Sequence, residues 1–188
     1  MKTKNIARII KQGGVGIVPT DTLYGLVGLA LAPVTVDRIY RLKKRALGKP
    51  FIILISSWQD LERINVEITP EQKKVLRKLW PGPVSAVLPC ENPRLDYLHQ
   101  NKNLAIRWPK NKFLNKLLKK TGPLVAPSAN PEGKKPARTI TEAKKYFGDR
   151  VDFYLSAGRS LIGRPSTLID LSSGQMVVLR KGRRKIKN

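Results

Sequence analysis

The segment Thr20-Asp21-Thr22-Leu23-Tyr24-Gly25 crowds hydroxyls, a carboxylate and a phenol into one short turn, which is a set of groups able to hold a polar ligand by hydrogen bonds. An apolar strand carrying Val15, Ile17 and Val18 leads into it. Pro19 cannot donate to a central ladder, and apolar residues resume at Leu26, so the connection spans Thr20 to Gly25. The same residues also suit a plain hairpin in which the side chains only satisfy the turn. Cations form a second group. Lys43 and Arg45 close a helix predicted over residues 34–44, and Lys49 precedes the next strand. Positions two apart in a helix point about 200° apart, so Lys43 and Arg45 can share one phosphate only if the helix unwinds there. Gly48-Lys49-Pro50 makes such an ending plausible, although cations in a last turn also complement the helix dipole by a few tenths to about 1 kcal/mol. Ser128 and Asn130 follow the strand Leu124 to Ala126, and Ser166 precedes a strand. Arg180 ends the run Met176 to Leu179. A hydroxyl or amide at a strand end can bond a phosphate or carbonyl, or simply form a local turn.

What is missing narrows the chemistry. Neither G-x-x-x-x-G-K-[ST] nor G-x-G-x-x-G occurs, so the usual glycine-rich phosphate cradles are absent from the sequence. One cysteine, Cys90, and one histidine, His99, argue against a zinc cluster, and no pair of carboxylates has acid/base spacing. Cys90 ends a predicted strand while His99 lies in a polar loop, which disfavours a Cys–His nucleophile. No metal ligand is assigned. An enzyme built from these residues works with cations, hydroxyls and amides.

The elements that must position those groups alternate. Strands are predicted at residues 50–55, 84–89, 104–108, 124–126, 151–155, 167–171 and 176–180. Helices are predicted at residues 34–44, from the Thr69 capping box to Trp80, around Phe113 to Leu118, and from Thr141 to Gly148. The pattern is a mixed α/β sheet with flanking helices. A chain of 188 residues with no linker reads as one domain. Residues 1–12 lack the apolar core of a secretory leader, nothing spans a membrane, and a single cysteine permits no internal disulfide, so a cytoplasmic location is expected. The 37 Lys and Arg against 13 Asp and Glu give a formal charge of +24, which attracts polyanions.

Taken in order, Pro19-Thr20-Asp21-Thr22-Leu23-Tyr24-Gly25-Leu26, Lys43-x-Arg45, Pro81-Gly82-Pro83, Arg107-x-Pro109, Ser128-Ala129-Asn130, Pro165-Ser166-Thr167 and Leu179-Arg180-x-Gly182 resemble the TsaC/YrdC family of threonylcarbamoyl-AMP synthases. The resemblance covers essentially the whole chain, whose length is similar to the short bacterial form. It implies a single-domain YrdC-like fold with a twisted sheet and a concave basic face over residues 1–180, followed by a basic tail at 181–188. It implies a nucleotidyltransferase that joins L-threonine, bicarbonate or CO2, and ATP into L-threonylcarbamoyl-AMP with release of pyrophosphate, for the N6-threonylcarbamoyladenosine at position 37 of tRNAs reading ANN codons. Mg²⁺ held mainly through the phosphates is the implied cofactor, and downstream transfer enzymes of the TsaB/TsaD/TsaE type are implied partners.

Carried over by position, the resemblance gives Lys43 and Arg45 the catalytic role. Arg45, Lys49, Ser85, Ser128, Asn130 and Arg180 are then expected at ATP, and Thr22, Tyr24, Arg107, Ala126 and Ser166 at threonine. The chain departs from the family pattern at Ala46, where Pro is frequent, at Ser85, where Thr is frequent, and at Glu132, where Ser is frequent. A carboxylate at Glu132 would repel a triphosphate unless a lysine such as Lys134 or Lys135, or a metal, offsets it. The competing expectation is a non-catalytic tRNA- or double-stranded RNA-binding protein, supported by the charge and the basic tail but offering little beyond Trp58, Trp80 and Trp108 for base stacking.

Overall fold

The computed structural model describes residues 3–46, 49–98, 101–159, 161 and 163–186. His99, Gly48 and the last two tail residues, for which the sequence reading made statements, lie outside these. The chain begins with α1 (Thr3–Lys11) and the antiparallel hairpin β1 (Gly16–Pro19) and β2 (Tyr24–Leu29), then α2 (Pro33–Lys43), β3 (Ile52–Leu54), α3 (Gln59–Arg63) and α4 (Pro70–Leu79). It continues through β4 (Val84–Pro89), β5 (Asn103–Arg107), α5 (Lys112–Thr121), β6 (Leu124–Val125), α6 (Ile140–Phe147), β7 (Phe153–Tyr154), β8 (Thr167–Asp170) and β9 (Val177–Arg180). Among the described residues the nine strands form one open mixed sheet in the order β7-β1-β2-β6-β3-β5-β4-β8-β9.

Strand alternation divides the buried residues between two faces. Ile17, Leu26, Ile53 and Val125 point into the larger core, while Val18, Val27, Leu54 and Leu124 point the other way, onto Ile6 and Ile10 of α1 and Leu114, Leu117 and Leu118 of α5. These helices cover that second face over β1, β2 and β6. Further along the sheet the face is bare. Ile52, Ala105 and Val87 pair across β3, β5 and β4 as one apolar row, and with Leu168 they form the floor of a cavity.

The Thr69 capping box of α4 is present in full, with Gln72 N–H donating to the Thr69 hydroxyl at 3.2 Å and the Gln72 side chain accepting from Thr69 N–H at 2.8 Å. Other boundaries shift. The cap of α6 is Thr139, whose hydroxyl accepts from Glu142 N–H at 3.1 Å, two residues before the expected Thr141. Strand β3 is shorter than residues 50–55 because Phe51 leaves the ladder to stack on Tyr40, with ring centroids 4.2 Å apart. Helices α1 and α3 were not anticipated. Helix α1 has no acidic residue in its first turn, and burial of Ile6, Ala7 and Ile10 holds it against the sheet. No helix among the described residues is long and apolar enough to cross a membrane.

Candidate active site

Lys43 is the last residue of α2, and Lys44 turns the chain in the left-handed conformation with φ 50°. This is the unwinding that a shared anion site requires. Lys43 and Arg45 both line the cavity of about 520 Å³ above the bare part of the sheet. Lys43 is 2 % exposed, and its ammonium donates to the carbonyls of Ser128 and Asn130, each at 2.6 Å. An ammonium has three protons, so one remains for an anion. Arg45 is held from below, with its guanidinium 5.4 Å over the Phe51 ring and donating to the carbonyls of Lys49 at 3.3 Å and Pro50 at 3.4 Å. The Tyr40 hydroxyl donates to the same Lys49 carbonyl at 2.8 Å, and burial pushes its pKa up, which keeps the phenol a donor.

A second cavity, of about 370 Å³, opens beside the first. Thr20, Thr22, Tyr24, Arg107, Ala126 and Ser166 line it, and Ile52, Pro127, Ser128 and Arg180 belong to both. The Thr20 hydroxyl organises the turn by donating to Leu23 O at 2.6 Å and accepting from the amides of Thr22 and Leu23, each at 3.1 Å. Arg107 fastens this turn to the sheet. It ion-pairs with Asp21, donates to the Thr22 hydroxyl at 3.1 Å and reaches Gly82 O at 3.3 Å, so the Pro81-Gly82-Pro83 turn helps to aim it. Burial lowers the Arg107 pKa, and the Asp21 carboxylate opposes that fall. Across the cavity Arg180 donates to Ser166 O at 3.0 Å, and the Tyr24 hydroxyl accepts from Ala157 N–H at 2.9 Å.

The two cavities therefore gather Lys43, Arg45, Ser128, Arg180, Thr22, Tyr24, Arg107, Ala126 and Ser166. Ser85, Asn130 and Lys49 differ from expectation. Ser85 is fully buried and lines neither cavity; its hydroxyl is 2.9 Å from that of Ser166, so it supports that residue from beneath. The Asn130 side chain accepts from the Ser128 hydroxyl at 2.6 Å and donates to Lys134 O at 2.7 Å, which orients Ser128 and ties down the loop instead of facing the cavity. Lys49 pairs with Glu132 at 2.7 Å. That pair answers the departure at Glu132: the neutralising lysine is Lys49, not Lys134 or Lys135, and its bond holds the Glu132 pKa down. The sequence reading missed the apolar floor of Ile52, Val87, Ala105, Leu168 and Leu179. Its signal was apolar residues at both alternating positions of strands whose covering helices serve only half the sheet.

Among the described residues no group of three or more His, Cys, Asp or Glu could hold a metal. Of the carboxylates nearest the cavities, Asp21 is tied to Arg107 and Glu132 to Lys49. The protein side of the site does not fit a caged cation.

Burial pushes the Lys43 pKa down to about 8, helped by Arg45 and opposed by Glu132. The cradle needs the ammonium, so kcat/KM for an anionic substrate is expected to fall as pH rises through about 8. The fall should move to higher pH in Arg45→Gln and to lower pH in Glu132→Gln; a profile unmoved by either change would show that Lys43 does not control it. Between pH about 8 and 10.5 the unfolded chain keeps a proton at Lys43 that the folded chain has released, so this group adds stability as pH rises through that window.

The fold and site define an open-sheet α/β protein with a cationic, half-apolar cleft adjoining a smaller pocket in which Thr22, Arg107 and Ser166 stand among apolar residues. The model of the Sua5/YciO/YrdC family, described as telomere recombination, matches residues 8–182. The chain belongs to that family. It is 34 % identical over 184 residues to the threonylcarbamoyl-AMP synthase of Pyrococcus abyssi, covering 96 % of this chain and 54 % of that protein. A threonylcarbamoyl-AMP synthase of Marinobacter nauticus is 34 % identical over 171 residues, covering 88 % of this chain and 89 % of the relative. The crystal structure of Pyrococcus abyssi Sua5 complexed with L-threonine superposes with a TM-score of 0.86 at 34 % identity, over 96 % of this chain and 54 % of that one. The chain thus spans about half the length of the archaeal relative and most of the Marinobacter one.

Proposed function

We propose that this chain is a threonylcarbamoyl-AMP synthase, a nucleotidyltransferase acting on L-threonine, bicarbonate or CO2, and ATP. The observation that carries the reading is the junction of the two cavities at Ser128 and Arg180: a pocket carrying Thr22, Arg107 and Ser166 opens directly into a cationic cleft. The relatives' name and the threonine complex of one of them support the assignment of the smaller pocket to threonine.

The chemistry suits a site without a strong base. The threonine amine and bicarbonate condense to a carbamate and water, and the carbamate is already anionic. Its oxygen attacks the α-phosphorus of ATP, a new C–O–P link forms, and the bond to pyrophosphate breaks with the electron pair leaving on pyrophosphate. The protein supplies proximity and fixed positive charge. Lys43 and Arg45 take up charge on the phosphates, Ser128 stands at the junction, and Thr22 and Ser166 orient the amino acid. The bare apolar floor suits a nucleoside. Mg²⁺ would travel with the triphosphate.

The product would serve threonylcarbamoylation of tRNA through separate transfer enzymes, and the +24 charge favours encounter with such a polyanion. A purely RNA-binding role is the weaker reading. Trp58 packs against Trp80 at 6.0 Å in a tilted pair and against Trp108 at 5.7 Å edge to face, so the three indoles that could stack on bases contact one another. The test is pyrophosphate release by purified protein with ATP and Mg²⁺. The reading requires release that depends on both L-threonine and bicarbonate, and release independent of either would refute it.

A further inference from the structure

We infer that Arg183, in the segment after β9, is a positioning residue for the amino-acid pocket, an inference that rests on the reading of that pocket given above. The sequence sets residues 181–188 apart as a basic tail, yet residues 182–186 bind back onto the fold. At Gly182 a Cβ would lie 2.4 Å from Pro165 O and 2.5 Å from Thr167 N, so only glycine lets the chain lie against the backbone beside Ser166. Arg183 N–H donates to Pro165 O at 2.9 Å, the Thr167 hydroxyl donates to Arg184 O at 2.6 Å, and Ile186 packs on the main core.

From this anchored position the Arg183 guanidinium donates to the carbonyl of Asp21. The Asp21 carboxylate pairs with Arg107, and Arg107 donates to the Thr22 hydroxyl that lines the pocket. The same short segment therefore grips both walls of the pocket: the Thr20–Thr22 turn through the Arg183 side chain, and the Pro165–Thr167 strand entry through its backbone. Arg183 itself lines a different cavity, of about 820 Å³, which shares Thr20 and Thr22 with the amino-acid pocket. It acts through Asp21 without touching a ligand in the amino-acid pocket.

Calorimetric titration of L-threonine and, separately, of ATP into the unaltered protein, Arg183→Gln and Arg183→Lys tests this. Loss of one charge-assisted bond predicts threonine affinity about 10-fold weaker in Arg183→Gln, ATP affinity within about 2-fold of normal, and substantial recovery in Arg183→Lys. Unchanged threonine affinity, or equal losses for both ligands, would overturn the inference. Amide hydrogen exchange on the ligand-free proteins provides a readout that needs no threonine. The amides of Thr22 and Leu23, bonded to the Thr20 hydroxyl, should exchange faster in Arg183→Gln while those of β4 and β5 do not change. If the unaltered protein binds no threonine, the functional reading falls; unchanged exchange at Thr22 and Leu23 would by itself overturn the role of Arg183.

Discussion

Arg45→Gln is expected to lower kcat/KM by about 10²–10³-fold while leaving the thermal midpoint within a few degrees. The two parts of this result have separate origins. Arg45 is only half-buried and its internal bonds are long ones to carbonyls near the surface, so little folding energy depends on it. Its position over Phe51 and beside Lys43 instead holds a positive fork in the larger of the two cavities, where the proposed reaction would move charge onto the departing phosphates. Arg45→Lys keeps the charge but loses the planar fork and should fall between the two. As a control, Lys74→Gln on the exposed face of α4 should leave turnover unchanged. Steady-state kinetics of the four proteins decide the matter, and an Arg45→Gln enzyme within about 3-fold of the original would remove Arg45 from the machinery.

Arg107→Leu is expected to cost about 3–5 kcal/mol of stability in urea unfolding, because it leaves a buried carboxylate without its partner. Asp21 is already stretched in this respect, since its Oδ2 is buried with no hydrogen-bond partner. The double change Asp21→Leu with Arg107→Leu should recover much of the loss, since a buried ion pair exchanged for apolar side chains is often close to neutral. Stability would then return without function. Thr22 would have lost the donor that aims its hydroxyl, so threonine binding should remain weak in the double variant. A single change costing less than about 1 kcal/mol would mean that Arg107 is not clamped as described.

These two arginines also mark how far the sequence could be read. Lys43-x-Arg45 gave both the cations and the condition for their cooperation, an unwound helix end, and the left-handed Lys44 meets that condition. The Thr69 capping box and the strand at 84–89 were legible because their determinants are local. Partner choice was not. Ser85, Asn130 and Lys49 carry side chains suited to phosphate, yet each bonds to another residue of the chain. Those partners, Ser166 for Ser85 and Glu132 for Lys49, lie far away in sequence and nearby only after folding. The tail posed the same difficulty. Its charge set it apart as a basic tail, whereas Gly182 and Arg183 are held by backbone contacts that no composition reveals. The apolar floor was hidden for a different reason: whether a strand face is covered depends on where α1 and α5 lie across the sheet, and α1 was not foreseen.

On the proposed function, the junction of the two cavities brings a carbamate oxygen to the α-phosphorus. This is tested most directly by supplying ¹³C-bicarbonate with L-threonine, ATP and Mg²⁺ and examining the fresh product by ¹³C and ³¹P NMR. The expected product shows a labelled carbonyl carbon coupled through oxygen to the phosphorus of an AMP moiety. Pyrophosphate released with no labelled carbon attached to phosphorus would contradict it.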